Sequence, residues 1–246
     1  MRAAAAVSGV LSHTSAAAWH GWEVPLPLER PHVAVPRGRK AREREGLRLH
    51  RLRVIAATDG VATDPVQTVV DCARDLPLPI ALAVADSALR HGLEPGLLAA
   101  GASAVRGAGA ARVRRVVAHA DRRAANPFES CLRALALDAG LDALLQHPIP
   151  VRGHVLHPDL VDPLRRLVLE ADSFSHHADP SAFAQDCHRY NDLVVRGWRV
   201  LRFPWVAVVL QPWVARRTLA ELVAQGHHDV PKSDRAAGAP RGPGLR

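Results

Sequence analysis

The chain has 246 residues, a formal net charge of +8 and a sequence pI near 10.7, with 48% hydrophobic, 23% charged and 4% aromatic residues. That is ordinary globular composition and excludes a wholly disordered chain, a collagen-like fibre and a coiled-coil rod. So few aromatics argue against a stacking platform for single-stranded nucleic acid, whereas the basic balance favours a polyanionic partner.

Only Lys40 and Lys232 are lysines, and a GC-rich genome accounts for such arginine dominance as simply as guanidinium chemistry does. Cys72, Cys131 and Cys187 are odd in number and widely spaced, so no disulfide framework or paired-cysteine zinc site is read from them, and a reducing cytoplasm fits best. The first 20 residues raise a signal-peptide reading. Its apolar core is mostly alanine with Ser8 and Gly9 inside it, which disfavours export. No run of about 20 strongly apolar residues occurs, so no membrane span is expected.

Charge divides the chain. Residues 1–125 carry 18 Lys/Arg against 11 Asp/Glu, residues 126–228 carry 10 against 11, and the tail from Asp229 carries 4 against 2. A basic first domain over 1–124, a second domain over 125–228 and a disordered tail over 229–246 follow from this split.

Taken in chain order, 31–36 and the alternating 47–54 read as short strands joined by a basic loop. In that loop Arg37, Arg39, Lys40, Arg42 and Arg44 place five cations within eight residues. They form either a solvated loop balanced by Glu43 and Glu45 or a nucleic-acid-binding loop, in which Arg37, Arg39, Lys40 and Arg42 contact phosphates. Asp64-Pro65-Val66-Gln67 has the spacing of a capped helix start. Helices follow over 80–90 and after Glu94, 101–109 reads as a Gly/Ala loop, and 112–123 as a basic helix. Asn126-Pro127-Phe128-Glu129 opens a helix that stops at Gly140. The segments 145–151 and 154–161 read as a hairpin around Arg152-Gly153, with Pro148 and Pro150 confining the first to an edge. A strand over 167–172, a helix from Asp179-Pro180 to Arg196, a strand over 198–203 and a helix over 214–225 complete a mixed α/β pattern.

The densest chemistry lies between His157 and Asp172. Glu170 and Asp172 end an apolar strand two residues apart, and so share a face. If the neighbouring strand brings Asp159 alongside, three carboxylates converge, and a divalent cation would relieve their repulsion; oxygen ligands suit Mg²⁺ or Mn²⁺. Asp162 competes with Asp159 for this place. Salt bridges to arginines are the other fate for these acids. Glu129 is either the capping-box partner of Asn126 or a functional acid. Asp186 and Arg189 are either an (i, i+3) ion pair or part of the site. His176-His177 is either functional or a solvated turn.

The stretch from Glu129 to Trp213 resembles the DUF559 group of endonuclease-like domains, related to very-short-patch repair endonucleases and the PD-(D/E)xK restriction-endonuclease fold. The resemblance rests on Glu129-Ser130, Asp159, Glu170-x-Asp172, His176-His177, Asp186-x-x-Arg189 and Gly197-Trp198-x-x-Leu201-Arg202-Phe203. Residues 9–92 resemble the body of AbiEi-like antitoxins, through Ser12-His13-x-Ser15-Ala16-Ala17, His32-Val33-x-Val35-Pro36-Arg37-Gly38, Pro65-x-x-Thr68-x-x-Asp71 and Ala88-Leu89-Arg90-His91-Gly92. Asp172 stands where the restriction fold usually has lysine, Ser173 where glycine is expected and Asn191 where an acid is common.

The resemblance implies a restriction-endonuclease-like mixed sheet flanked by helices, preceded by a smaller α/β domain, and metal-dependent hydrolysis of DNA phosphodiesters. Asp159, Glu170 and Asp172 would serve as metal ligands and catalytic acids, with Glu129, His177 and Arg189 beside them, Arg189 clamping phosphate oxygens. The expected partners are nucleic acid, DNA first, and a second copy of the chain as a homodimer; a membrane is not among them. The alternative is a non-catalytic DNA-binding or toxin–antitoxin-type regulator that retains the nuclease fold.

Overall fold

The computed structural model describes residues 4, 7–27, 29–40, 45–52, 55–57, 59–172 and 180–226. Arg42, Arg44, His176, His177, the Asp179 cap and the 229–246 tail lie outside the described residues. The fold is mixed α/β.

In the N-terminal half, β1 (Val10–Leu11) leads into helix α1 (His13–Trp19), followed by β2 (His32–Pro36) and β3 (Arg48–Leu52). β2 lies in the middle of this sheet, antiparallel to β1 and parallel to β3. Val33, Ala34 and Val35 are all buried, as expected for a strand covered on both faces. Four helices follow: α2 (Pro65–Asp75), α3 (Leu78–Arg90), α4 (Pro95–Ala104) and α5 (Ala110–His119). The Asp64 side chain accepts the Gln67 N–H at 2.8 Å, as its N-cap position predicts. The Gln67 amide does not fold back to close a capping box; it donates to Asp71 Oδ1 at 2.7 Å. The loop read over 101–109 is shorter than its composition suggests, because α4 runs through Ala104. A Cβ on Gly101 would collide with Val66 Cγ1, so this glycine permits close approach of α4 to α2 rather than a turn.

The C-terminal half begins with α6 (Pro127–Asp138), capped by Asn126 Oδ1, which accepts the N–H groups of Phe128 and Glu129 at 2.9 and 3.0 Å. It ends at Gly140, whose φ of 81° lies in the left-handed region. Strands β4 (Leu144–Leu145), β5 (Ile149–Val151), β6 (His154–Leu156), β7 (Leu160–Asp162) and β8 (Leu167–Asp172) follow. The hairpin expected around Arg152-Gly153 is β5–β6, a two-stranded unit of its own. Each predicted hairpin arm is interrupted: the first at Gln146, which has a φ of 49°, and Pro148; the second at Pro158, which has no N–H to give a ladder. α7 (Pro180–Val195) crosses to β9 (Arg199–Pro204), and a π-helical segment (Val206–Leu210) precedes α8 (Pro212–Gly226).

The main sheet runs β4-β7-β8-β9, with β9 parallel to β8 and the other pairs antiparallel. Side chains alternate between its two faces. Leu160, Leu167 and Leu169 pack with Leu132 and Leu135 of α6 and Leu219 of α8. Val161 and Val168 pack on the other face with Leu193 of α7 and with Ile149 and Val151 of the hairpin. The same alternation puts Glu170 and Asp172 on the α7 side.

The two halves meet where α3 packs on α6, with Ala83 joining the C-terminal core and Ala134 the N-terminal one. There the fully buried Asp86 carboxylate accepts two hydrogen bonds from Arg133 Nη2, at 2.6 and 2.8 Å, and another from the Asp121 N–H at 2.8 Å.

Candidate functional site

The register of β7 on β8 pairs Leu160 with Leu169, so the next step of the ladder sets Asp159 beside Glu170. The Asp159 carboxylate accepts the Ala171 N–H at 2.8 Å, and the Asp159 N–H faces Glu170 Oε2 at 3.4 Å. Gln146 supports this corner by donating its N–H to the Asp159 carbonyl at 3.1 Å.

Glu129 reaches the same place from the first turn of α6. Its carboxylate accepts the Ala125 N–H at 2.9 Å and the Asn126 Nδ2–H at 2.8 Å, so it fills its capping role. It is also buried, and near enough to Asp159 for the two charges to repel. Burial first, and Asp159 second, push its pKa up to about 7. Capping and membership of the acidic cluster therefore coexist in one side chain.

Glu170 is 4% exposed. Burial and the Asp159 charge raise its pKa well above the ordinary carboxylate value, while Arg189 acts in the opposite direction. Arg189 Nη2 donates to Glu170 Oε1 at 2.7 Å, so this arginine of α7 turns to the sheet. Its buried Nε–H has no hydrogen-bond partner among the described residues. Outward, Arg189 lines a groove of about 410 Å³ with His154, Gln185, Asp186, His188 and Asp192.

Asp172 lies further along β8. Arg202 Nη2 is 2.6 Å from its Oδ2 and 3.8 Å from Asp186 Oδ2, and the Arg202 guanidinium lies 4.3 Å from the centre of the Tyr190 ring. The parallel ladder sets Arg202 opposite Glu170 and aims it along the same face. Asp159 thus neighbours both Glu129 and Glu170, Arg189 holds Glu170, and Asp172 lies further along the same face of β8. Asp162 stands at the far end of β7, where it accepts the Arg165 N–H at 3.0 Å and its guanidinium at 2.7 Å; its carboxylate belongs to the β7–β8 turn. Sequence reading gave Gln146 and Arg202 no site role. For Arg202 the usable signal is that 198–203 is a strand ending level with the acids.

In the basic loop, Arg37, Arg39 and Lys40 are exposed directly after β2. Arg39 Nη1 donates to the Ser8 carbonyl at 3.0 Å, which anchors one end of the loop.

No family model matches the chain, and no solved structure matches it. Two curated proteins of Mycobacterium tuberculosis are similar to it: the uncharacterized protein MT2308 of strain CDC 1551 and the uncharacterized protein Rv2248 of strain H37Rv. Each is 31% identical over 175 residues, which is 67% of this chain and 60% of the relative. The chain therefore spans less than two thirds of the length of the relatives it matches. Among the described residues no helix is long and apolar enough to cross a membrane.

Proposed function

We propose that this chain is a metal-dependent endonuclease that hydrolyses phosphodiester bonds of DNA, with a DUF559-like domain over 125–228 behind an AbiEi-antitoxin-like domain over 1–124. The observation that carries the reading is the approach of Asp159 to both Glu170 and Glu129, two buried carboxylates, with Arg189 in contact with Glu170. Buried carboxylates that repel one another need a compensating cation. The donor set is all hard oxygen and fits Mg²⁺ or Mn²⁺. Asp159 and Glu170 would hold the ion, with Asp172 next to them on β8.

A divalent ion there supplies Lewis-acid polarisation of the phosphate and activation of water. The chain supplies the rest. Arg189 offers the part of its guanidinium that lines the groove to a phosphate oxygen while Nη2 keeps Glu170 in place. Arg202 fixes the Asp172 carboxylate on the site's face, where it orients the attacking water. Glu129, with its raised pKa, takes the proton that this water releases. His177 serves as a second proton carrier. The exposed Arg37, Arg39 and Lys40, together with Arg42, draw in the phosphate backbone. The free thiols of Cys72, Cys131 and Cys187 support a reducing, cytoplasmic setting.

A second reading, a DNA-binding regulator on a nuclease fold, has one observation in its favour: Glu170 and Asp172 each already face an arginine at 2.7 and 2.6 Å. Relaxation of supercoiled plasmid with Mg²⁺ or Mn²⁺, against an EDTA control, separates the two. The nuclease nicks only with the ion; the regulator binds DNA with a steep salt dependence and leaves it intact.

A further inference from the structure

Away from the acids, three imidazoles converge in the N-terminal half. In the parallel register of β2 and β3, His50 stands opposite Ala34, two residues beyond His32, so His32 and His50 share a face. His13 opens α1 beside them, and the Ser12 N–H ties this point to the His32 carbonyl at 3.0 Å. His50 Nε2 lies 3.1 Å from His32 Nδ1. The His13 ring stacks on His50 with centroids 3.7 Å apart and sits 5.2 Å from that of His32. One nitrogen of each ring lies within 4.8 Å of the other two. His13 and His32 are buried and His50 is half-buried.

Polar rings stand where β2 otherwise buries valine and alanine, and they are partnered there: His13 Nδ1 lies 3.0 Å from Ser12 Oγ, and His32 and His50 contact each other. His13 is also held at a φ of 51°, a left-handed conformation that residues with a side chain rarely adopt. The surrounding groups resemble the outer partners of a metal site. Asp75 Oδ2 is 3.1 Å from His13 Nε2, the carboxylate–histidine contact that orients a ligating ring. One turn earlier on α2, Asp71 is fully buried, and its Oδ2 has no partner among the described residues.

We infer that His13, His32 and His50 together bind one first-row transition-metal ion, Zn²⁺ by donor chemistry, with Asp75 as the residue that positions His13. Three imidazoles suit Zn²⁺ and its neighbours, whereas the carboxylates at the other end of the chain suit Mg²⁺; the two sites do not compete. The 3.1 Å separation of the His32 and His50 nitrogens is close to the ~3.3 Å edge of a tetrahedron with Zn–N bonds of about 2.0–2.1 Å. Three ligands leave a coordination position for an exogenous group. His32 also lines a cavity of about 610 Å³ with Thr14, Glu29, Arg30 and Arg48, a polar wall that suits water as that group.

The test is a titration of the full chain, stripped with chelator, by Zn²⁺ in a calorimeter and by Co²⁺ with visible spectroscopy. The wild type takes up one tight equivalent, gains thermal stability with Zn²⁺ and shows an intense Co²⁺ band. His50→Gln and His32→Gln abolish the tight equivalent and the band. Asp75→Asn weakens binding about 10–100-fold and shifts the Co²⁺ spectrum. Glu170→Ala keeps the tight equivalent, so the result stands apart from the cleavage reading. Should the histidine variants not fold, Zn²⁺ protection of His50 from diethyl pyrocarbonate in the wild type gives the same answer. No tight equivalent in the wild type, its retention in both histidine variants, or an unprotected His50 at saturating Zn²⁺ overturns the inference.

Discussion

Asp159 and Glu170 are locked together by the backbone: the Asp159 carboxylate takes the N–H of Ala171, the residue after Glu170, and the Asp159 N–H faces Glu170 Oε2. The two acids therefore cannot part without loss of the Ala171 N–H to Asp159 hydrogen bond at the end of the β7–β8 pairing. Asp159→Asn keeps an oxygen for the Ala171 N–H and removes the charge. In EDTA this variant is expected to melt at the wild-type temperature or above it, and the stabilisation that Mn²⁺ gives the wild type is expected to shrink. Differential scanning calorimetry with and without Mn²⁺ checks both; an undiminished Mn²⁺ shift would remove Asp159 from the ion site.

Glu129 gives a pH signature. Its folded-state pKa, about 7, lies above the ordinary 4.5, so folding favours the protonated form. The associated stability is fully present below pH 4.5 and is lost as the pH rises through 7. Glu129→Gln has nothing to ionise and retains an acceptor for Ala125. Relative to wild type it is expected to gain up to about 3 kcal/mol at pH 8 and close to none at pH 4. Urea unfolding at the two pH values measures this, and equal differences at both would contradict the raised pKa.

Asp86 and Arg133 test the joint between the halves. Loss of one partner of a buried ion pair leaves an uncompensated charge, and Asp86→Ala is expected to destabilise by about 3–5 kcal/mol. Asp86→Leu combined with Arg133→Met is expected to recover most of that loss. A double-mutant cycle read by chemical denaturation decides; additive losses would mean that the 2.6 Å contact contributes little.

The sequence made the local signals legible and left the long-range ones hidden. Asp64, Pro65 and Asn126 mark helix starts through contacts within three residues, so their spacing alone predicts α2 and α6. The Glu170–Asp172 face follows from strand periodicity, and its place beside Asp159 from the expected strand pairing. The acid–arginine pairings were not readable: Arg189 turns to Glu170, 19 residues away, and Arg202 to Asp172, because α7 crosses over the sheet. The 101–109 segment misled for a local reason: Gly101 is there for contact with Val66, and composition cannot separate that from a turn. Spacing alone does not bring His13, His32 and His50 together: His32 and His50 share a face through the parallel pairing of β2 and β3, and His13 joins them through the Ser12–His32 hydrogen bond.

The exposed Arg37, Arg39 and Lys40 predict how DNA affinity depends on salt. Neutralising all three is expected to weaken binding and to flatten the log–log salt slope by up to ~0.9 per lost duplex contact. Fluorescence anisotropy on a labelled duplex across a salt series reads the slope. An unchanged slope would leave the loop as solvated surface.

The central claim is that Glu170 serves a metal-dependent cut. The most direct measurement is the rate of nicking of supercoiled plasmid in Mn²⁺ by the wild type and by Glu170→Gln, with folding checked by circular dichroism. Loss of a metal ligand is expected to slow nicking by about 100-fold or more while the fold and the duplex affinity persist. Nicking by Glu170→Gln at the wild-type rate would contradict the account.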